Sequence, residues 1–168
     1  MATFEGKLKL NLDAVFGSSI DIGNLKHNID YEKSFTINSG TGAAQANQVF
    51  VDQRTLSASA NEELDLAGGL TDAFGTSITF TSIKGIIVYA ASGNTNDVLV
   101  GGAAANGFIE WVSDTSDEIV VKPGGMFMLY NPAADGYTVT ASTGDLLRFE
   151  NSSSGSSVTY DLILIGEI

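Results

Sequence analysis

The sequence predicts an all-β protein, a single β-sandwich or jelly-roll-like domain with an N-terminal strand or arm, and three features carry that prediction. Short runs in which apolar and polar residues alternate with a period of two recur along the chain. Clusters of Gly, Asn, Asp and Ser punctuate them every eight to twelve residues or so, the rhythm of a sandwich, a jelly roll or a barrel. No long segment carries the 3.6-residue period of an amphipathic helix. No longer period repeats, so a solenoid or propeller is not expected. At 168 residues the chain has the size of one domain, and a domain near that length buries about 68–70% of its unfolded surface, enough for a core without staples.

Taken in order, residues 3–12 place Phe4, Leu8, Leu10 and Leu12 on one face and Thr3, Glu5, Lys7, Lys9 and Asn11 on the other, a half-buried strand. Residues 14–28 space Val15, Phe16, Ile20, Ile22 and Leu25 with Gly17, Gly23 and two serines, which reads as a loop with a short strand at most. The only histidine, His27, falls in that polar stretch and is expected in an exposed loop. Tyr31 to Ile37 alternates again. These signals divide the chain into an N-terminal strand or arm with its connection, residues 1–28, and a sandwich, residues 29–168.

Residues 38–47, N-S-G-T-G-A-A-Q-A-N, are glycine-rich, but Ala43, Ala44 and Gln45 stand where a P-loop needs Lys-Ser/Thr and a dinucleotide fingerprint needs a third glycine. A plain connecting loop is expected. Gln48–Leu56 and Asn61–Leu66 read as strands, and Leu66–Gly75 as a connection or a single helical turn from about Thr71. Ser77 to Ala91, with Ile78, Phe80, Ile86, Ile87, Val88 and Tyr89, is dense enough in β-branched and aromatic residues to be the central strand, covered on both faces. The polar turn Ser92–Asp97 then predicts a hairpin with Val98–Val100. Further strands are expected at Ile119–Val121, Met126–Tyr130, Tyr137–Ala141, Leu146–Glu150 and Ser157–Ile165.

A formal net charge of −12 is the wrong sign for a nucleic-acid or anionic-membrane partner. Cysteine is absent, and with it disulfides and thiolate metal sites. The first residues lack the apolar core of a secretory signal, and no run of about 18 apolar residues is present.

No catalytic, cofactor or metal site is expected. Asp21 or Asp30 could orient His27 in a triad, but no G-x-S-x-G elbow supplies the nucleophile. Asp114, Asp117 and Glu118 lack the spacing and the glycine of a calcium loop. One Trp and five Tyr make a thin aromatic platform for a glycosidase, and Trp111 beside Phe108 reads as core.

Function enters through similarity. The block Asn38-Ser39-Gly40-Thr41-Gly42, Ala46-Asn47, Phe50-Val51-Asp52-Gln53-Arg54-Thr55-Leu56 and residues 64–75, L-D-L-A-G-G-L-T-D-A-F-G, resembles small proteins encoded beside the major capsid gene of tailed bacteriophages. Residues 116–125 and 157–161 continue the similarity, which spans most of the chain beyond residue 35 and rests on structural motifs. What it implies is a capsid decoration, or cement, protein with a jelly-roll-like fold, often trimeric, binding the major capsid protein. Such a protein would sit on the virion exterior, and in the host cytoplasm during assembly. The alternative is a tail- or fibre-associated module that binds a host-surface glycan or protein; a glycan-acting enzyme ranks third.

Two apolar surfaces are the expected interfaces. In the last strand Ile163 and Ile165 face one way and Leu162 and Leu164 the other, more apolar surface than one sandwich interior covers, which predicts a homo-oligomer. The stripe Phe4, Leu8, Leu10, Leu12, backed by Lys7 and Lys9, predicts either an arm over residues 1 to about 16 that docks on a neighbouring subunit or the shell, or a first strand paired within the chain's own sandwich; the two lysines favour docking.

Overall fold

The alternating runs become strands, and the structure, a computed structural model that describes residues 3–168, contains no helix among them. The strands are β1 (Gly6–Ile20), β2 (Gly23–Ser39), β3 (Gln45–Ala46), β4 (Gln48–Leu56), β5 (Asn61–Asp65), β6 (Leu70–Thr71), β7 (Ser77–Ile78), β8 (Ser82–Ala90), β9 (Val98–Gly101), β10 (Glu118–Val121), β11 (Met126–Tyr130), β12 (Tyr137–Thr138), β13 (Leu146–Asn151) and β14 (Val158–Glu167). Two sheets pack face to face as a β-sandwich. One has the order β11-β8-β14-β4, with β12 also on β8; the other has the order β10-β9-β13-β5. All their pairings are antiparallel. The chain passes from one sheet to the other between β4 and β5, β5 and β8 by way of β6 and β7, β8 and β9, β10 and β11, β12 and β13, and β13 and β14.

The core lies between the sheets. Ile86, Val88, Leu162 and Leu164 meet Val98, Val100, Leu147 and Phe149, all essentially without solvent contact. Phe149 stacks on Tyr160 with ring centroids 4.6 Å apart, joining β13 to β14 across the layer. Each such side chain withdrawn from water contributes about 1.5–3 kcal/mol.

Two expectations are corrected. The segment Ser77–Ala91 is not one strand: Ser77–Ile78 pairs with Leu70–Thr71, and β8 begins at Ser82. Of the two readings of Leu66–Gly75, a connection or a helical turn, the connection holds: the Asp72 carboxylate accepts the backbone N–H groups of Phe74 and Thr76, both at 2.9 Å, and builds a turn between β6 and β7. The hairpin of Val98–Val100 with the central strand does not form, because both edges of β8 are occupied, by β14 and β11. The 92–97 connection carries the chain to the other sheet. Asn94 exchanges hydrogen bonds with the Thr159 backbone, and Asn96 donates to Asn151 and to the Ser153 and Ser156 carbonyls, fastening the connection to β14 and the turn before it.

The largest departure is at the N-terminus. The stretch 14–28 is not a loop: β1 and β2 form one antiparallel ribbon of fifteen consecutive pairs, from Gly6 opposite Ile37 to Ile20 opposite Gly23, with Asp21 and Ile22 at its tip. Gly23 closes the tip at φ 108°, a conformation that suits glycine. The division at residue 28 therefore falls inside β2, and Tyr31–Ile37, assigned to the sandwich, belongs to the arm. At about 3.4 Å per residue the ribbon spans about 50 Å. Only its root is packed: Ile37 is buried with Ala46 and Ile165, and Phe4, Leu8, Val49, Tyr130 and Ile163 close around them. Past the root, every residue from Lys9 to Thr36 is exposed except the half-buried Ala14.

At the foot of β8 the ladder skips a residue. Ile165 stands opposite Gly85 and Gly166 opposite Ile83, so Lys84 has no cross-strand partner and forms a β-bulge. Its side chain is 1% exposed and pairs with Glu167 Oε1 at 2.9 Å, while Nζ also donates to the carbonyls of Ala133 and Ala134. This ion pair clamps the 131–136 turn onto the last strand. Lys84→Ala leaves a buried carboxylate and two carbonyls without a donor, and is expected to cost about 3–5 kcal/mol. Urea unfolding measures it; a loss below about 1 kcal/mol would mean that the clamp contributes little.

Candidate interaction surface

Directly opposed residues of an antiparallel pair share a face, so the β1–β2 register sorts the ribbon into two unlike sides. One side carries Leu8, Leu10, Leu12, Phe16 and Ile20 from β1, alongside Leu25, Ile29, Tyr31, Phe35 and Ile37 from β2. The other carries Lys7, Lys9, Asn11 and Asp13 against Thr36, Ser34, Glu32 and Asp30, with Val15 as its one large apolar residue. Beyond the root, the large side chains of the apolar side are between 36% and 76% exposed. Lys33 lies on this side with Nζ 5.7 Å from the Tyr31 ring centroid, so its stem covers apolar surface while its charge stays in water.

Of the expected interface residues, Leu10 and Leu12 are exposed on this stripe, and Lys7 and Lys9 stand on the polar side, as the alternation of residues 3–12 predicts. Phe4 and Leu8 are half-buried in the root. Ile163 and Ile165 do face away from the core, but Ile165 is 4% exposed because the chain's own ribbon root covers it, and only Ile163 remains half-open. Sequence reasoning missed the other half of the stripe, Phe16, Ile20, Leu25 and Ile29. Its signal was present in the alternation Leu25, His27, Ile29, Tyr31, Lys33, Phe35, Ile37, unbroken along β2.

His27 is therefore a strand residue, opposite Phe16 on the apolar side, whereas Asp30 is opposite Asp13 on the polar side, so the two point away from each other. In the 113–118 loop, Asp117 Oδ2 accepts the backbone N–H groups of Ser113 and Asp114, and Asp114 Oδ1 accepts from the Ser116 backbone and hydroxyl. The Ser116 bonds hold the Asp114 carboxyl below its ordinary range. Glu118 faces Arg148. Among the described residues, no group of three His, Cys, Asp or Glu side chains is placed to hold a metal. Trp111 packs on Phe127 with centroids 5.6 Å apart and donates Nε1–H to the Phe108 carbonyl at 2.8 Å, at the rim of the core.

A cavity of about 450 Å³ opens at the sandwich edge between β4 and β5, lined by Phe50, Asp52, Arg54, Glu62, Glu63 and Asp65 among others. Glu62 is engaged on both oxygens: Arg54 donates to Oε2 through Nε at 2.8 Å, and the Tyr160 hydroxyl donates to Oε1 at 2.6 Å. Arg54 also pairs with Asp52 at 2.7 Å. Burial alone would raise the Glu62 carboxyl, but the hydrogen bonds from Arg54 and Tyr160 and the guanidinium charge outweigh it and hold Glu62 below its ordinary value. Burial, and then the bond to Glu62, push the Tyr160 phenol up. With its acceptors and donors turned on one another, the triad works as a brace between the two sheets.

No family model, curated protein or solved structure matches this chain.

The brace sets a pH dependence. A carboxyl lowered by folding contributes stability above its unfolded value, about 4.3, and that contribution is lost as pH falls through the lower folded value. Glu62→Gln is expected to cost about 1–3 kcal/mol at pH 7 and to flatten the acid side of the stability profile below pH of about 4.5. Thermal melts from pH 3 to 8 on both proteins read this out.

Proposed function

We propose that this protein decorates and stabilises the capsid shell of a tailed bacteriophage by binding its major capsid protein, as a homo-oligomer on the virion exterior. The observation that carries the reading is the ribbon: a sandwich that holds out a two-stranded arm about 50 Å long, apolar along one side, is built to grip another protein surface. An isolated two-stranded ribbon is marginally stable in water, so its apolar side calls for a cover. The similarity of residues 38–42, 46–47, 50–56, 64–75, 116–125 and 157–161 to proteins encoded beside capsid genes supplies the class of partner. The strand orders β4-β14-β8-β11 and β5-β13-β9-β10, with the chain alternating between sheets, support the jelly-roll part of the reading. A net charge of −12 favours a protein partner over nucleic acid.

Co-sedimentation with empty capsids of the phage whose major capsid gene neighbours this reading frame is the direct test, with negative-stain microscopy to place the bound protein. Saturable binding is expected. A ribbon shortened by replacing Leu10–Lys33 with Asn-Gly keeps the root pair Lys9 and Ser34 and is expected to retain the sandwich while losing at least about tenfold in apparent affinity. Absence of binding by the full chain, together with retention on a glycan array, would favour the host-surface module.

A further inference from the structure

We propose that the apolar side of the ribbon docks on a second copy of this chain, lying across the outer face of that copy's β4-β14-β8-β11 sheet. This deepens the oligomeric part of the reading above and rests on it only there.

The outer face of that sheet is built in rows. The first, Val49, Ile165, Gly85 and Tyr130, lies under the chain's own ribbon root, where Phe35 meets Tyr130 with ring centroids 5.2 Å apart. The second, Val51, Ile163, Ile87 and Met128, is as apolar and only half-covered, Val51 being 65% exposed. The third, Gln53, Asp161, Tyr89 and Met126, mixes apolar area with one carboxylate. The root thus shows within one molecule that the ribbon's apolar side fits this face, and the face continues beyond the root uncovered.

The chain's own ribbon leaves those rows open beyond the half-covered Ile163: past its root, every residue from Lys9 to Thr36 is exposed except the half-buried Ala14. Its fifteen pairs run without a bulge or register break, and a ladder lacking such a break has no place at which to fold back sharply. Leu10, Leu12, Phe16, Ile20, Leu25 and Tyr31 are 46–76% exposed along it, a contiguous apolar stripe of the kind that marks a protein–protein interface.

Charge selects the occupant. Residues 6–39 hold Lys7, Lys9, Lys26 and Lys33 against Asp13, Asp21, Asp30 and Glu32, and so carry no net charge. Residues 40–168 hold fifteen acids against four bases, and each of those bases, Arg54, Lys84, Lys122 and Arg148, is in an ion pair with an acid of the same body. Two bodies repel; a ribbon with no net charge, whose apolar side carries Lys33 and no carboxylate, is the surface of this chain that a strongly acidic body accepts. Lys33, on the apolar side, and Asp161, in the third row, suit one another. Each copy then offers one donor and one acceptor surface, an arrangement that closes into a ring or a reciprocal exchange.

The test uses the full chain with two pairs of substitutions at exposed positions. Leu12→Asp with Phe16→Asp disables the ribbon; Val51→Lys with Met126→Lys disables the receiving face. By light scattering the wild type is expected to be a defined oligomer at tens of micromolar or so, and each double variant to self-associate at least about a hundredfold more weakly. Mixing the two variants is expected to restore a one-to-one complex, because each supplies what the other lacks. Circular dichroism and melting confirm that the variants keep the sandwich. Should the aspartates unravel the ribbon, the cysteine-free chain allows a second route: Leu12→Cys mixed with Val51→Cys is expected to give the heterodimer with a bismaleimide, and its absence counts against docking. A monomeric wild type overturns the proposal and leaves the ribbon to the shell. A receiving-face variant that still assembles overturns it in favour of ribbon against ribbon. Loss of capsid binding with complementation intact upholds it and removes the decoration reading instead.

Discussion

A strand that is apolar on both faces must be covered on both, and β14 imposes that constraint on the whole molecule. Its Tyr160, Leu162 and Leu164 face the second sheet and are fully buried. Ile163 and Ile165, alternating with them, face the other way. Burying the first set requires the sandwich; burying the second requires something outside it. The chain supplies that cover by turning Ile37, Phe4 and Leu8 over Ile165 at the root of the ribbon. Since β1 and β2 are too long to end there, the solution to one exposed face creates another.

The edges of the sandwich are closed by polar chemistry. Lys84, displaced at the bulge, ties the 131–136 turn to Glu167, and Arg54 with Tyr160 ties Glu62 of β5 to β4 and β14. Both clusters hold charges whose removal from water is costly unless every partner is present. That cost makes them specific: a register slip along β14 would separate Lys84 from Glu167, and Tyr160 from Glu62. With the body's four cations committed to internal pairs, its remaining carboxylates set a negative field that the neutral ribbon escapes. Packing and charge therefore assign the same parts: an acidic body that resists others like it, and an arm that it does not resist.

The body of the chain could be read in one dimension because its strands are short and their alternation is bounded by turn residues. The arm could not. Gly17, Ser18 and Ser19 in β1, and Gly23 and Asn24 in β2, suit loops better than strands, and they stand in the twelfth to fifteenth pairs, near the tip, where the opposite strand supports them through the ladder and a Ser19–Asn24 side-chain hydrogen bond. Their composition said loop, while the period of two in Leu25 to Ile37 said strand, and the ladder of fifteen pairs decided for the period. The same competition misled the reading of residues 92–97: a polar turn between two apolar runs has the composition of a hairpin, but Asn94 and Asn96 spend their amides on β14 and the turn before it.

The sequence by itself determined the class of the fold, the apolar character of the sandwich strands and the two-sidedness of both residues 3–12 and the last strand, because each is a local consequence of which side a residue points to in an extended chain. Tertiary structure decided which strands are neighbours, that the arm is a ribbon of two strands, that Ile165 is covered from within, and which carboxylates brace the sheets. Those outcomes join residues far apart in sequence, Gly6 with Ile37 and Glu62 with Tyr160, and such pairings are chosen by competition among all the strands for edges and cover. That competition leaves no period in the sequence to read.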